Sequence, residues 1–452
     1  MKIIIVGSGA VGACICTQLA EENHAITVID NNADALNEIT NSLDITGIQG
    51  NGADISVLRE AGAEDADLLI AVTNEDELNI LCCFAAKKLG TANTIARVRN
   101  PEYSEFMSLM KDDLNLSLTI NPEYAVAKEI ARILKFPSAT TLNSLCGGKV
   151  ELAELTVREG SALVGKSLLQ LREELGIKFI VCSVMRGEDV YIPSGDFVIQ
   201  SGDTVAVTAD DEEITKFFKA SGNYIRPIRE LIVIGGGRTT YYLGELLKKS
   251  KVNLVAIEKD RALCRALAEQ FPEFTVINSD GTNQEILLEE GIKDADAFLA
   301  LSSVDEENAI VSMFAKTQRV PKVVTMISSL PYIDFFRGVG IESIVSPKSS
   351  TVGYILRFVR SQAASADSEI EALYRIMDGR LEALEFNVKE NIDGITGVPL
   401  RQLKKRRDCL LCCIMRDGGI IFPTGDDAIE KDDRVIVISR SGQMNNIKDV
   451  RA

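Results

Sequence analysis

Short runs of β-branched and aliphatic residues alternate with longer stretches whose apolar positions recur at helical spacing. Lys2–Val6 (KIIIV) has no helical period, so it predicts a strand buried on both faces, as in a parallel sheet. The same pattern predicts strands over 25–30, 45–49, 67–72, 94–98 and 117–121, with helices between them. Alternating strand and helix predict an α/β, doubly wound parallel-sheet (Rossmann-like) domain that binds ligand at the carboxyl edge of its sheet. Further on the pattern changes. Val150–Val157, Phe179–Met185 and Thr204–Thr208 are short alternating strands, a helix spans Ser167–Glu174, and Gly-Asp turns punctuate them. This is a small α+β module with no glycine phosphate loop.

The whole plan then repeats. Gly7-Ser8-Gly9 recurs as Gly235-Gly236-Gly237, and Asp30 as Glu258. Gly50-Asn51-Gly52-Ala53-Asp54 recurs as Ser279-Asp280-Gly281-Thr282-Asn283. Ala71-Val72-Thr73-Asn74, with Asp76, Glu77 and Asn79, recurs as Ala300-Leu301-Ser302-Ser303, with Asp305, Glu306 and Asn308. In the small modules, Ile192-Pro193-Ser194-Gly195-Asp196 recurs as Phe422-Pro423-Thr424-Gly425-Asp426. Order and spacing hold along the chain, so a two-part unit has been duplicated. The second sheet is expected from strands near 230–234, 252–257, 274–278, 296–301, 322–327 and 342–345. The predicted domains are 1–137, 138–222, 229–362 and 369–452, with a polar, Pro-containing joint at Ser221–Arg229. Helices over Glu123–Lys135 and Ser350–Arg360 carry apolar residues on more than one face, which suits an interface.

The candidate chemistry sits at the first crossover. Gly7, Gly9 and Gly12 form G-x-G-x-x-G directly after a strand and at the start of a helix. Gly7 permits a tight turn, Gly9 lets a pyrophosphate approach the backbone, and Gly12 lets the helix lie close on the strand. The N–H groups over Gly7, Ser8, Gly9, Ala10 and Val11 then face a phosphate at a helix N-terminus. Asp30 ends the second strand, where a carboxylate accepts ribose hydroxyls and repels a 2′-phosphate, favouring NAD or an adenosine nucleotide over NADP. Thr73 and Asn74 end strand four, and Asn51 ends strand three beside the adenine position. Arg97 and Arg99 end strand five. Each either reaches a phosphate, or an acid across an interface, or is a solvated surface residue. The run Glu75-Asp76-Glu77 either complements a helix dipole or holds a cation or an arginine. In the second copy Thr240 replaces the third glycine, so its Cβ must push the helix off the strand. Met326 stands where Arg97 stood, and Ser328 where Arg99 stood. Gly235, Gly236, Gly237, Arg238 and Glu258 form a second, weaker candidate site.

Composition removes several classes of function. With 452 residues and a net charge of −17, the chain disfavours nucleic acid and anionic lipid as direct partners. Its longest basic run is Lys404-Lys405-Arg406-Arg407. No apolar run is long enough to span a bilayer, and Met1 leads straight into the first strand without a signal peptide, so a cytoplasmic protein is expected. The ten cysteines lie in apolar strands and helices, as reduced buried thiols do. Cys409-x-x-Cys412 looks like half a zinc site, but the repeat places Phe179 opposite Cys409, which marks a hydrophobic strand position; no metal site is predicted. The only histidine, His24, lies in the turn before strand two, at the wrong edge of the sheet for catalysis. There is no Walker-type phosphate loop. A nucleotide fold without tools for turnover predicts a sensor, not an enzyme. Two rivals stay open: an NAD-dependent oxidoreductase and a Rossmann scaffold that serves only assembly.

These motifs carry a resemblance. KIIIVGSGAVG, Asp30, GNGAD, AVTNEDELN and ARVRNPEY resemble the nucleotide-binding domain of potassium transport regulators, the RCK or KTN domain. LVGKSLLQL and IPSGD followed by GDTV resemble that family's C-terminal ligand module. The resemblance implies NAD or NADH, with ATP or ADP possible, in the glycine-turn site. It also implies a homotetramer, forming a ring under a membrane potassium channel subunit of the TrkH or TrkG type. The protein would then be peripheral at the inner face of the membrane, without inserting. By matching position, Gly7 to Val11, Asp30, Thr73, Asn74 and Arg97 carry over as first-site contacts, and Gly235 to Thr239, Glu258, Asp280 and Ser302 carry over to the second.

Overall fold

The computed structural model describes residues 1–103, 116–341, 343–364, 370–377, 380–404, 406, 408–440, 444 and 446–451. Position 342 of the last predicted Rossmann strand, Lys405 and Arg407 of the basic run, and positions 369 and 452 that bound the last predicted module lie outside the described residues. The chain forms two compact units, one of Met1–Ala131 with Arg229–Leu356 and one of Arg132–Ile228 with Arg357–Ala452.

The first unit holds two parallel sheets. Strands β1 (Lys2–Val6), β2 (Ala25–Asp30), β3 (Thr46–Gln49), β4 (Leu68–Ala71), β5 (Asn93–Arg97) and β6 (Leu118–Ile120) lie in the order β3-β2-β1-β4-β5-β6. Helices α1 (Ala10–Glu21), α2 (Ala33–Ser42), α3 (Ile55–Glu60) and α4 (Asp76–Leu89) make the crossovers. Helix α5 (Pro122–Lys135) follows the sheet. Strand β4 is buried along its whole length, and β1 from Ile3 onward, because crossover helices cover both faces. That is why neither strand alternates in sequence. The order turns back between β1 and β4, and ligands of such sheets bind at that switch point. The edges of all six strands agree with the sequence prediction to within one residue.

The second unit, taken by itself, holds two antiparallel sheets. The first combines β7 (Thr141–Leu145), β8 (Val150–Thr156), β9 (Ile180–Arg186), β10 (Asp189–Tyr191) and β11 (Thr204–Thr208) in the order β10-β9-β11-β8-β7, with helices α6 (Leu168–Leu175) and α7 (Asp211–Ser221). Three of these elements, β7, β10 and α7, were not predicted. Strand β10 has three residues, too few to show alternation. The signal for α7 was present, since Ile214, Phe217 and Phe218 recur at helical spacing and are buried.

Continuing the first unit, β12 (Glu230–Ile234), β13 (Asn253–Glu258), β14 (Thr275–Asn278), β15 (Ala297–Ala300), β16 (Lys322–Met326) and β17 (Ser343–Val345) repeat the order as β14-β13-β12-β15-β16-β17. Their helices are α8 (Arg238–Leu247), α9 (Arg261–Gln270), α10 (Gln284–Glu289), α11 (Asp305–Thr317), α12 (Leu330–Gly338) and α13 (Pro347–Ala364). In the second unit, β18 (Ile370–Ile376), β19 (Leu381–Asn387), β20 (Cys409–Arg416), β21 (Gly419–Ile421) and β22 (Arg434–Arg440) repeat the antiparallel sheet as β18-β19-β22-β20-β21.

Each small module is fastened by the same ion pair, in which the carboxylate is buried and the arginine partly exposed. Arg186 grips Asp203 through Nε (2.7 Å) and Nη2 (2.8 Å), and Arg416 grips Asp433 in the same way at 2.8 Å for both. Asp203 and Asp433 also accept from Gln200 N and Glu430 N, so the turns at Gly202-Asp203 and Asp432-Asp433 are held to the sheet by these carboxylates. None of the ten cysteines, all of them among the described residues, forms a disulfide. Cys14 is half-buried rather than buried, because it lies on α1 outside that helix's inward face. Cys409 opens β20 and is buried, as its repeat mate Phe179 is.

Candidate nucleotide-binding site

The first glycine turn is shaped by backbone contact. Gly7 has φ +104°, a conformation that a side chain rarely adopts, and a Cβ there would stand 3.1 Å from Thr73 N. A Cβ on Gly12 would lie 1.9 Å from Gly7 O, so only glycine lets α1 rest this close to the turn. A Cβ on Gly9 would meet nothing within 4 Å, and Gly9 and Ala10 are exposed, so the turn faces open space where a phosphate would approach. Gly9 caps α1 without a side-chain hydrogen bond, which leaves the helix N–H groups free for an anion. Val11 is buried and packs inward.

Asp30 does more than the sequence implied. Its Oδ2 accepts from Ser8 N at 2.6 Å and Ser8 Oγ at 2.8 Å, and its Oδ1 accepts from Asn32 N at 2.9 Å. The carboxylate therefore clamps the turn to the end of β2. Burial pushes the Asp30 carboxyl up, but hydrogen bonds from Asn32 and Ser8 outweigh it and leave it below the ordinary carboxylate range. Ser8 is buried with its hydroxyl committed to Asp30. Its part in the site is to hold the turn.

The far side of the cleft is organised by a residue outside the predicted set. Asn79, fully buried on α4, accepts from Thr73 N (2.9 Å) and Thr73 Oγ1 (2.8 Å). It donates to Thr73 O (3.1 Å) and to Arg97 O (2.9 Å). One amide thus ties the ends of β4 and β5 together. Asn308 repeats this, accepting from Ser302 N and donating to Ser302 O and Met326 O, each at 2.9 Å. The recurrence of Asn79 as Asn308 was the sequence signal for it.

The two arginines of β5 and its end differ. Arg97 is 8% exposed, so it is not a solvated surface residue. Its Nη2 donates to Thr73 O and to Asn74 Oδ1 (3.2 Å), while Nε is buried without a protein partner. Burial, and then the neighbouring Arg99 charge, lower the Arg97 pKa, yet a guanidinium stays charged. Arg99 pairs with Glu123 on α5 through Nε at 2.7 Å and through Nη2. Asp76 and Glu77 stand in the first turn of α4, as the dipole reading requires. Asp76 Oδ2 also accepts from Arg99 N and Asn100 N at 2.8 Å each, fixing the loop after β5. Asn51 is exposed at the end of β3, its Oδ1 accepting from Ala53 N at 3.0 Å.

The second copy keeps the plan with substitutions. Gly235 has φ +100°. Gly236 N donates to Glu258 Oε2 at 2.6 Å, and Asp260 N to Glu258 Oε1 at 2.7 Å. Gly237 faces open space, Arg238 is exposed and Thr239 is buried. Thr240, in place of the third glycine, is fully buried and donates its hydroxyl to Gly235 O at 2.5 Å. The extra Cβ is thus offset by a hydrogen bond to the carbonyl it crowds. Asp280 Oδ1 accepts from Thr282 N and Oγ1, and Ser302 Oγ contacts Val304 O. His24 lies at the opposite edge, with Nδ1 3.4 Å from the Met1 amino group.

Two doubly wound sheets in one chain, each with a glycine turn and a strand-ending acid and each followed by a small antiparallel module, define a tandem RCK-type protein. The TrkA-N domain family matches residues 3–117 and 231–347, and the TrkA-C domain family matches residues 152–222 and 384–450. The chain belongs to the TrkA family of Trk-system potassium uptake proteins. It is 31% identical over 451 residues to the Trk system potassium uptake protein TrkA homolog of Archaeoglobus fulgidus, covering 100% of both chains. It is 30% identical over 443 residues to the Trk system potassium uptake protein TrkA of Haemophilus influenzae, covering 97% of this chain and 95% of that one. The solved GsuK RCK domain shares the fold with a TM-score of 0.61 at 18% identity, covering 97% of this chain and 92% of that one. The GsuK channel bound to NAD shares it with a TM-score of 0.62 at 17% identity, covering 97% and 76%. The family is one of transport proteins, not of enzymes. Among the described residues no helix is long and apolar enough to cross a membrane.

Proposed function

We propose that the chain is the nucleotide-sensing regulatory subunit of a potassium uptake system. The observation that carries this reading is the first cleft. An unobstructed glycine turn faces it from one side, and a buried arginine with a free Nε stands at the other. A nucleotide's pyrophosphate fits the turn, its ribose lies toward Asp30, and a terminal phosphate or the second nucleotide half extends toward Thr73, Asn74 and Arg97. NAD or NADH suits this cleft, and ATP or ADP occupies the same adenosine and phosphate positions. The second site, with Arg238 and Glu258 but Met326 for Arg97, takes a less charged ligand or binds more weakly.

The mechanism is differential binding. A ligand that prefers one arrangement of the cytosolic assembly shifts the population toward it, and the membrane subunit follows. The membrane partner is a potassium channel subunit of the TrkH or TrkG type, and the assembly is a homotetrameric ring at the inner face of the membrane. The domains are 1–137, 138–222, 229–362 and 369–452. Calorimetric titration of the full chain with NADH, ATP and ADP tests this. Saturable binding that weakens in Arg97→Gln is expected. No heat and no thermal shift with any of the three would leave only an assembly scaffold.

A further inference from the structure

The loop after β5 is held by a residue from the second copy. Tyr242 lies on α8, the helix that follows the second glycine turn, and is buried. Its hydroxyl donates to Arg99 O at 3.1 Å and accepts from Asn121 Nδ2 at 2.7 Å. Asn121 Nδ2 also reaches Arg99 O at 3.3 Å. The ring packs edge-on against Tyr124 of α5 at 5.4 Å between centroids, and against Tyr241 at 5.7 Å. Arg99 is two residues beyond Arg97, and its side chain and N–H are held by Glu123 and Asp76. Tyr242 and Asn121 hold the remaining free backbone group of that residue, its carbonyl.

The local charges make this anchoring consequential. Arg97 Nε, Asp76 Oδ1 and Glu123 Oε2 are all buried without protein partners, so these three charged groups, packed with Arg99 around the end of β5, are incompletely bonded. Such a cluster keeps its geometry only while its backbone is fixed. The repeat shows that the device belongs to the first site alone. Tyr242 corresponds to Cys14, Arg97 to Met326, Arg99 to Ser328, Asn121 to Ser346 and Glu123 to Lys348. The second site has no arginine pair to steady, and Cys14 has no hydroxyl or ring with which to do it.

We infer that Tyr242 is a positioning residue for the first nucleotide site, acting through the Arg99 carbonyl and Asn121 to place Arg97 against the phosphate end of the ligand. This rests on the reading of the first glycine turn as a nucleotide site. Because Tyr242 rides on the helix that opens at Gly237–Arg238–Thr239, a shift of α8 changes Arg97 at the first site.

The test compares ADP with adenosine, which lacks phosphate, on the full chain by calorimetry. Tyr242→Phe keeps the ring and removes the hydroxyl. ADP affinity is expected to fall about three- to tenfold, the range for loss of one buried neutral hydrogen-bonding group, while adenosine affinity is unchanged. In an Arg97→Gln background the same substitution is expected to change ADP affinity by less than about twofold, as coupling through Arg97 requires. Asn121→Ser reads the same contact from the other side and serves if Tyr242→Phe does not fold. Equal losses for ADP and adenosine, or no loss for ADP, would overturn the inference while leaving the nucleotide site standing. No ADP binding by the wild type would overturn both.

Discussion

Replacing Asp30 by asparagine keeps the side chain's shape and removes its charge and one of its two acceptor oxygens. In the structure the carboxylate accepts three hydrogen bonds, at 2.6 and 2.8 Å from Ser8 and 2.9 Å from Asn32. An amide oxygen turned toward Ser8 keeps two of these as neutral bonds, and the NH2 group then opposes Asn32 N, donor against donor. A hydrogen bond to a charged group contributes about 1.5–3 kcal/mol and a neutral one about 0.5–1.5 kcal/mol. Asp30 is half-buried, so solvent absorbs part of the difference, and the turn loses about 1–3 kcal/mol. The charged acceptor for ribose is lost at the same time. NADH affinity is therefore expected to fall about 10- to 100-fold in calorimetric titration at pH 7. Ser8→Ala, which removes only the hydroxyl bond, is expected to cost about threefold. The charge also sets the pH window. With its folded pKa depressed, Asp30 contributes stability above the unfolded carboxylate value, and this is lost as pH falls through the lower folded value. Wild-type affinity is thus expected to hold between pH 7 and 5. NADH affinity within about twofold of wild type in Asp30→Asn would refute both the clamp and the ribose assignment.

Other substitutions test the remaining contacts. Gly12→Ala puts a Cβ 1.9 Å from Gly7 O and forces α1 off the turn; a loss of about 1–3 kcal/mol in stability and of NADH binding is expected, and unchanged melting and titration curves would contradict it. Thr240→Val is near-isosteric but leaves the buried Gly235 carbonyl without its 2.5 Å donor, so denaturation should show a loss of about 1–3 kcal/mol, and an unchanged transition would mean that the hydroxyl contributes nothing. Burial raises the Glu151 carboxyl above its ordinary range despite Arg132, and its Oε2 has no protein partner. A raised folded pKa means that protonation favours the fold, so Glu151→Gln should raise the thermal midpoint at pH 8 and lose that advantage by pH 4; an equal shift at both pH values would show that charge is not the cause.

The Rossmann sheets were legible because β1 and β4, buried on both faces, carry unbroken aliphatic runs, and because the first glycine of each turn, Gly7 and Gly235, takes a positive φ that other residues rarely adopt. Repetition doubled each signal. The site was less legible. Asp30 reads as a ribose acceptor, yet its bonds to Ser8 depend on where the turn folds back, which no local pattern encodes. Arg97 could be placed at a strand end, but its burial depends on Asn74, Thr73 and the cover of neighbouring elements. Arg99 left open a surface role because its acid, Glu123, lies on α5 beyond the next strand. Tyr242 was invisible as a first-site residue, since contacts between the two copies follow from their packing and not from either copy's motif. The small modules hid β10 for lack of length.

The central claim is that nucleotide binding at the first glycine turn controls potassium uptake. The most direct measurement is uptake at limiting external potassium in a host lacking its own equivalent subunit, complemented with wild type or Asp30→Asn at matched expression. Restoration by wild type, with a deficit in Asp30→Asn that parallels its weakened NADH binding, is the predicted result. Equal restoration by both, with binding shown to be lost in the variant, would contradict the claim.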